Sequence, residues 1–206
     1  HLSALGINEA KDSNYALSKL EGENLVLKNF PLATILRPSV VYSVDDNFTT
    51  NFMTLLNRLP FMPIYYNGET KFAPIHVTDL VEIIFEVVEG KTNEKTIECI
   101  GPEILSFKEI ILKLLKAIDK KRLLIPLPLT IAKMTAKLFE IMPNPLITVD
   151  QINLLKYDNI PSGQYKTNFE LDLDAKKIFD EELEKYSFNW RTGGQYSRGK
   201  LSRTKQ

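Results

Sequence analysis

The apolar positions of the first hundred residues alternate between the spacing of amphipathic helices and that of short buried strands. Residues 12–29 have helical spacing and stop before Phe30-Pro31, and the apolar run at 33–36 is typical of a buried parallel strand. The further predicted elements are helices at 47–58 and 78–90, a turn at 65–70 and a strand at 96–100. This alternation predicts an α/β fold.

The second half of the chain has mostly helical spacing. Ser106 is a suitable N-cap for a strongly amphipathic helix that begins at Phe107. Helices are predicted at 106–120, 128–142, 148–157 and 174–185. We therefore expect a smaller, helix-rich lobe from about residue 103 onward.

Composition and charge argue against several classes of function. Lysine plus arginine and aspartate plus glutamate each number 26, so no net charge attracts nucleic acid. The single cysteine, Cys99, cannot form an internal disulfide, and no cluster has metal-ligand spacing. No apolar run approaches the roughly 20 residues that a membrane span needs. These features favour a cytoplasmic protein without a metal site.

Tyr15 and Lys19 carry the strongest chemical signal. A separation of four residues on a helix places the phenol and the ammonium group on one face. A fixed cation beside a phenol favours the phenolate and lowers its pKa from about 10, so Tyr15 would become a usable general acid or base. The alternative interpretation is an aromatic residue and a lysine on a half-exposed helix, because this spacing often occurs by chance.

Ser3, twelve positions before Tyr15, and the Arg37-Pro38 pair give this spacing a context. A serine, a tyrosine and a lysine in this order, followed by a strand and Arg-Pro, resemble the catalytic set of the short-chain dehydrogenases/reductases. The resemblance implies that Tyr15 exchanges a proton with a substrate oxygen. It also implies that Lys19 holds the nicotinamide ribose and that Ser3 binds the substrate oxygen.

Two further segments resemble the extended, NAD-dependent epimerase/dehydratase branch of that family. Residues 35–42 look like its Arg-Pro loop, where backbone after the proline meets the nicotinamide end of the cofactor. Residues 72–80 are similar to the segment that ends in Val-x-Asp before a helix. The implied cofactor is NAD or NADP, without a choice between them. The implied contacts on this loop are Pro38, Ser39, Val40 and Val41.

Other residues with reactive side chains have a structural explanation. Thr78 or Asp79 is expected to cap the helix that follows, with Asp79 as an anchor rather than a catalytic acid. His76 is expected to be a structural histidine, and Cys99 a buried thiol in a strand.

The block from Pro143 to Asn159 supports a more specific resemblance. Its Pro-rich start and its Thr-x-Asp-Gln, Leu-Leu-Lys and Asp-Asn groups resemble the family of the dinucleotide-binding accessory subunit of respiratory complex I and its bacterial relatives. The ending from Tyr186 to Tyr196 does so too. The resemblance implies a nucleotide-binding protein with a stabilising or assembly role. An active oxidoreductase, epimerase or dehydratase, acting on a carbonyl or hydroxyl compound, is the alternative.

No glycine-rich phosphate loop follows a strand, and the chain begins at His1 without an initiator methionine. We therefore expect a fragment. Residues 1–102 would be an incomplete Rossmann-type dinucleotide-binding domain, the C-terminal part of a doubly wound parallel sheet. Residues 103–190 would form the helix-rich substrate or partner lobe, and 191–206 a flexible basic tail. A third functional alternative is a non-binding fragment of a split gene.

Residues 120–142 combine basic and apolar character. Lys120-Lys121-Arg122 precedes an apolar stretch and a helix that carries Lys133, Lys137 and Glu140 on one face and Ile131, Leu138, Ile141 and Met142 elsewhere. One interpretation is a helix packed on the core of the lobe with a solvated lysine face. The resemblance to complex I implies instead that this segment contacts complex I subunits or the surface of the inner membrane.

Overall fold

The computed structural model describes residues 1–140 and 148–196. Its helices are α1 (Asn14–Asn29), α2 (Thr49–Arg58), α3 (Val77–Val88), α4 (Phe107–Ala117), α5 (Leu129–Phe139), α6 (Val149–Leu154) and α7 (Phe179–Tyr186). Its strands are β1 (Ile35–Pro38), β2 (Val41–Tyr42), β3 (Phe61–Ile64), β4 (Lys71–Phe72), β5 (Ile75–His76), β6 (Thr96–Cys99), β7 (Leu105–Ser106), β8 (Leu123–Pro126) and β9 (Lys166–Thr167).

The main sheet is parallel and contains β1, β6 and β9 in that order. On the other edge of β1, Leu2 forms a parallel bridge with Leu36, so the first residues of the chain extend the sheet. The residues around Leu2, here called the Leu2 segment, lie parallel to β1, and helix α1 connects this segment to β1. Parallel neighbours joined through a helix are typical of a doubly wound sheet, and the predicted α/β fold class is confirmed.

Helix α1 begins at Asn14 because Ser13 is its N-cap. The Ser13 hydroxyl accepts a hydrogen bond from the backbone N–H of Ala16 at 3.2 Å. Ala16 is buried and packs with Ile7 and Ala10, which lie in the loop before the helix. This contact holds the first turn of α1 against the chain that follows the Leu2 segment.

The predicted cap of α3 is wrong. The ring nitrogen Nδ1 of His76, rather than Thr78 or Asp79, accepts a hydrogen bond from the first turn, from the backbone N–H of Thr78 at 3.3 Å. The buried Asp79 carboxylate instead accepts the backbone N–H groups of Lys176 and Lys177 at 3.0 and 2.9 Å. Asp79 therefore anchors the segment before α7, and that helix begins at residue 179 rather than 174.

Other element boundaries differ from the predicted ones. Helix α4 starts as expected, with Ser106 and Glu109 forming a capping box, but it ends at Ala117. Helix α6 is shorter than 148–157, and the predicted end of α5 at 141–142 lies outside the described residues. Strand β8 was not predicted, and it pairs in parallel with β3.

A second hydrophobic core lies between α2, α4 and α7, with Met53, Leu56, Phe107 and Phe179 among its buried members. Helix α2 comes from the predicted first domain. Conversely, β9 joins the main sheet and Leu173 packs in its core, although both belong to the predicted lobe. The two packing regions therefore do not follow a boundary at residue 103.

The start of the predicted flexible tail is attached to this second core. The Arg191 guanidinium donates to the Ala117 carbonyl at 2.6 Å and to the Ser187 hydroxyl at 3.1 Å. Arg191 thus contacts the second core, and residues 197–206 of the predicted tail lie outside the described part of the chain.

Candidate functional site

Tyr15 and Lys19 lie together on α1, as their spacing predicts. The Lys19 Nζ atom is 5.8 Å from the centroid of the Tyr15 ring. The Tyr15 side chain is 45% exposed, so its phenol is accessible from outside the helix. The pair lies in the first half of a helix whose buried residues are Ala16 and Glu23.

The expected effect of Lys19 on the pKa of Tyr15 is not found. Partial burial raises the pKa of Tyr15 above its ordinary value, because the phenolate loses solvation there. The prediction of a lowered pKa for Tyr15 is therefore wrong. Tyr15 is a neutral phenol near neutral pH and has a proton to donate.

Ser3 lies at the end of the Leu2 segment. Its backbone N–H donates to the Leu36 carbonyl at 2.8 Å, which fixes it beside β1. Its side-chain oxygen is buried and has no hydrogen-bond partner among the described residues. An unsatisfied buried hydroxyl costs about 1–3 kcal/mol. A ligand oxygen at this position would remove that cost, so the residue fits its predicted role.

The loop after Arg37 is held by hydrogen bonds within the protein. The Pro38 carbonyl accepts the backbone N–H of Leu5 at 2.9 Å, and the Ser39 N–H donates to the Cys99 carbonyl at 2.9 Å. The Val40 N–H donates to the Asn159 side chain at 2.9 Å. The backbone amides of Ser39 and Val40 are thus already satisfied. Val41 belongs to β2, which pairs with β5, and cofactor contacts of the four loop residues stay a prediction.

Asn159 joins two of the predicted site segments. Its Oδ1 accepts the Ser39 hydroxyl at 2.6 Å as well as the Val40 N–H, and its Nδ2 donates to the Leu5 carbonyl at 2.8 Å. Sequence reasoning included Asn159 only as part of a family-like block. Its role could not be inferred, because Leu5 and Asn159 are 154 positions apart.

Asp150 holds the first turn of α1 in a similar way. Its carboxylate accepts the backbone N–H of Asn14 at 2.7 Å, that of Tyr15 at 3.2 Å and the Ser13 hydroxyl at 3.0 Å. A carboxylate at a helix N-terminus is favoured by the helix dipole and by the unpaired N–H groups there. The Thr148–Gln151 capping box was a detectable signal for α6, but nothing near it indicated that Asp150 caps a second helix.

Cys99 is confirmed as a buried thiol. The strand position leaves it 0% exposed, and burial raises its pKa to about 12. Within residues 1–140 and 148–196, no three His, Cys, Asp or Glu side chains are grouped so that they could hold a metal ion. A surface cavity of about 450 Å³ opens between residues 93–96 and 164–166, and none of the predicted site residues line it.

Comparison with known proteins agrees with the fold. Residues 10–104 match the family model described as the RmlD substrate binding domain. The structure superposes on UDP-glucuronic acid 4-epimerase from Bacillus cereus with a TM-score of 0.58 and 20% identity, covering 91% of this chain and 60% of that one. The fold is therefore that of the extended short-chain dehydrogenases/reductases of the NAD-dependent epimerase/dehydratase type.

Two of the sequence relatives have named roles. It is 28% identical over 204 residues to the mitochondrial NADH dehydrogenase [ubiquinone] 1 alpha subcomplex subunit 9 of Arabidopsis thaliana, which covers 94% of this chain and 50% of that protein. It is also 37% identical over 78 residues to ceramide reductase of Caulobacter vibrioides, covering 38% of this chain and 24% of that one. The chain is thus similar to the complex I subunit along almost its whole length, and it spans half the length of the Arabidopsis protein.

Proposed function

We propose that this protein binds a nicotinamide dinucleotide and stabilises or helps to assemble respiratory complex I. The observation that carries the nucleotide part is the buried Ser3 hydroxyl without a partner among the described residues, next to the parallel bridge between Leu2 and Leu36. The likeness to the Arabidopsis complex I subunit over 94% of this chain supports the assembly part. A bound nucleotide stabilises the folded state whether or not it reacts.

The residues of α1 would hold the nicotinamide half of the nucleotide. Lys19 would donate to the ribose hydroxyls, with Tyr15 beside it, and Ser3 would bind a ligand oxygen. When bound, the nicotinamide ring supplies a hydride donor or acceptor. The protein itself contributes the neutral phenol of Tyr15 and the ammonium group of Lys19, both on α1, and the hydroxyl of Ser3, which lies beside β1.

Substitution of Lys19 tests the nucleotide proposal. We expect NADH to bind the complete protein, with Lys19→Ala weakening it about tenfold, since a charged hydrogen bond of about 1.5 kcal/mol corresponds to that factor. Lys28→Ala is the matched control, because Lys28 is exposed in the last turn of the same helix. Fluorescence titration with NADH gives both affinities. A wild-type protein that does not bind NADH, or equal affinities of the two variants, contradicts the proposal.

An active oxidoreductase, epimerase or dehydratase is the second candidate. The half-exposed phenol of Tyr15 and the unpaired Ser3 hydroxyl favour it, and one relative is a ceramide reductase. Tyr15 would then donate its proton to a substrate carbonyl oxygen that Ser3 also binds. NADH oxidation that occurs with a carbonyl substrate and is lost in Tyr15→Phe supports catalysis. NADH that stays unoxidised across a substrate panel supports the stabilising role alone.

We further propose that the exposed apolar side chains of β3, β8 and α5 contact a membrane surface. Phe61 and Leu123 are opposite each other in the β3–β8 pair and are 47% and 67% exposed, and Met134 on α5 is 74% exposed. Lys120 and Arg122 support the proposal less, because they donate hydrogen bonds to Thr192 and to the Leu56 carbonyl. No helix in the described ranges is both long and apolar enough to cross a bilayer, so the contact would be peripheral.

Vesicle binding tests this surface. Leu123→Glu and Met134→Glu are expected to reduce co-sedimentation with vesicles that contain anionic lipid, because a carboxylate opposes insertion and is repelled by the headgroups. Val88→Glu is the control, since Val88 is 76% exposed on α3. Equal pelleting of all variants would remove the membrane proposal. The side chains of Leu138, Ile141 and Met142, part of the predicted surface, lie outside the described part of the chain.

A further inference from the structure

We infer that residues 148–159, here called the strap, hold the elements of the proposed nucleotide site in position, with Asp150 and Asn159 as the positioning residues. The inference rests on the proposed function. It concerns residues that would not touch the nucleotide and act through others.

The first attachment of the strap fixes the helix that carries Tyr15 and Lys19. The Asp150 carboxylate accepts hydrogen bonds from the backbone N–H groups of Tyr15 and Asn14 and from the Ser13 hydroxyl. Asn153 adds a bond from its Nδ2 to the Asp12 carbonyl at 3.0 Å, immediately before this turn. The position of the Tyr15 backbone therefore depends on a carboxylate that is distant in sequence.

The second attachment fixes the two loops on the sheet side. Asn159 uses both ends of its amide, accepting from Ser39 and Val40 and donating to Leu5. Its backbone also pairs with β4, since its N–H donates to the Lys71 carbonyl at 2.7 Å. The amide thus ties the loop that follows Ser3 to the loop that follows Pro38.

The two attachments come from one short stretch of chain. Within it, α6 and the turn after it set the separation of Asp150 and Asn159, so the distance between α1 and the two loops is fixed as well. A shift of α1 relative to Ser3 would move Tyr15 and Lys19 away from the hydroxyl they are proposed to work with. Loosening either attachment should therefore weaken nucleotide binding beyond its effect on folding.

Asp46 provides a matched control for Asp150. Its carboxylate also caps a helix, accepting the backbone N–H groups of Phe48 and Thr50 at 2.7 and 3.2 Å and that of Ser43 at 2.9 Å. It caps α2, which belongs to the second core and carries none of the predicted site residues. Asp150→Asn and Asp46→Asn remove the same charge from equivalent positions.

The experiment measures NADH affinity by fluorescence titration and unfolding by urea for the complete protein and its variants. Asp150→Asn is expected to weaken NADH binding about tenfold, the effect of one charged hydrogen bond, whereas Asp46→Asn keeps wild-type affinity at a similar loss of stability. Asn159→Asp, which keeps the acceptor for Val40 but loses the donor to Leu5, should also weaken binding. If Asp150→Asn does not fold, the NADH affinity of Asn159→Asp tests the inference instead.

If both strap variants bind NADH with wild-type affinity, or if Asp46→Asn weakens NADH binding as much as Asp150→Asn does, the positioning role of the strap is wrong. Nucleotide binding by the wild-type protein would still stand. If the wild-type protein does not bind NADH, the proposed function is wrong and the strap falls with it as a positioning device.

Discussion

Arg37 shows that a residue in a family-like segment need not face the ligand. Its guanidinium forms two hydrogen bonds with Glu23 of α1, at 2.8 and 2.6 Å, and both side chains are buried. Hydrogen bonding to Glu23 raises the pKa of Arg37, and the group also lies 4.7 Å from the Tyr165 ring centroid. The pair fastens α1 to β1, next to the candidate site.

Removing one partner of this pair is expected to be strongly destabilising. Glu23→Gln leaves the buried guanidinium charge uncompensated, so we expect a loss of about 3 kcal/mol in the free energy of unfolding. Glu94→Gln is the control, because its ion pair with Lys166 is exposed and should contribute less than about 1 kcal/mol. Urea denaturation of both variants gives the values. Similar losses for the two would contradict the assigned role of the buried pair.

Cys99 should make stability sensitive to alkaline pH. Its pKa is raised from an ordinary value of 9.0 to about 12, so the folded state favours the neutral thiol. The stabilisation is complete below about pH 9 and is lost as pH rises toward 12. Cys99→Ala should reduce the loss of stability across this range, measured by urea denaturation at pH 8 and pH 10.5. If the free energy of unfolding of Cys99→Ala falls between these pH values as much as that of the wild-type protein, the loss of stability comes from other groups.

At the scale of elements, short-range signals were sufficient where the capping residue is adjacent to its helix. Ser106 was identified because serine before a helical pattern is itself the signal. The cap of α3 was missed because a histidine replaces the usual hydroxyl or carboxylate. The second cap of α1 could not be seen, because Asp150 is 135 positions from Tyr15.

Gly101 marks a close contact that depends on the absence of a side chain. It follows β6, its N–H donates to the Ala73 carbonyl at 3.1 Å, and a Cβ there would lie 1.8 Å from the Pro74 carbonyl oxygen. We expect Gly101→Ala to destabilise the protein by about 3 kcal/mol or more, since backbone must move. Gly163→Ala is the control, because Gly163 has a φ of +72° and open space around it. It should cost about 1–2 kcal/mol. Thermal unfolding that ranks the variants in the opposite order would refute this account.

At the scale of the whole molecule, the α/β class and the helix-rich second half were predictable from periodicity alone. Periodicity did not predict which elements pack in which of the two cores. Helix α2 joins the second core because its buried residues face α4, and β9 returns to the main sheet because the edge of β6 is open for pairing. Sequence order carries no signal for either choice, since both depend on which apolar faces meet after folding.

This crossing of the chain between the cores predicts one cooperative unfolding transition. The sequence contains a single tryptophan and a single cysteine. Trp190 packs against the second core and donates to the Thr54 hydroxyl at 2.9 Å, whereas Cys99 is buried in the main sheet core. Trp190 fluorescence and thiol labelling of Cys99 should therefore follow the same urea dependence, with Cys99→Ser as the control for background labelling. Because α2 packs in the second core and β9 pairs in the main sheet, the chain crosses between the two regions, and neither can unfold without exposing part of the other. Labelling of Cys99 at urea concentrations that leave Trp190 fluorescence native would show that the cores unfold separately and would contradict this prediction.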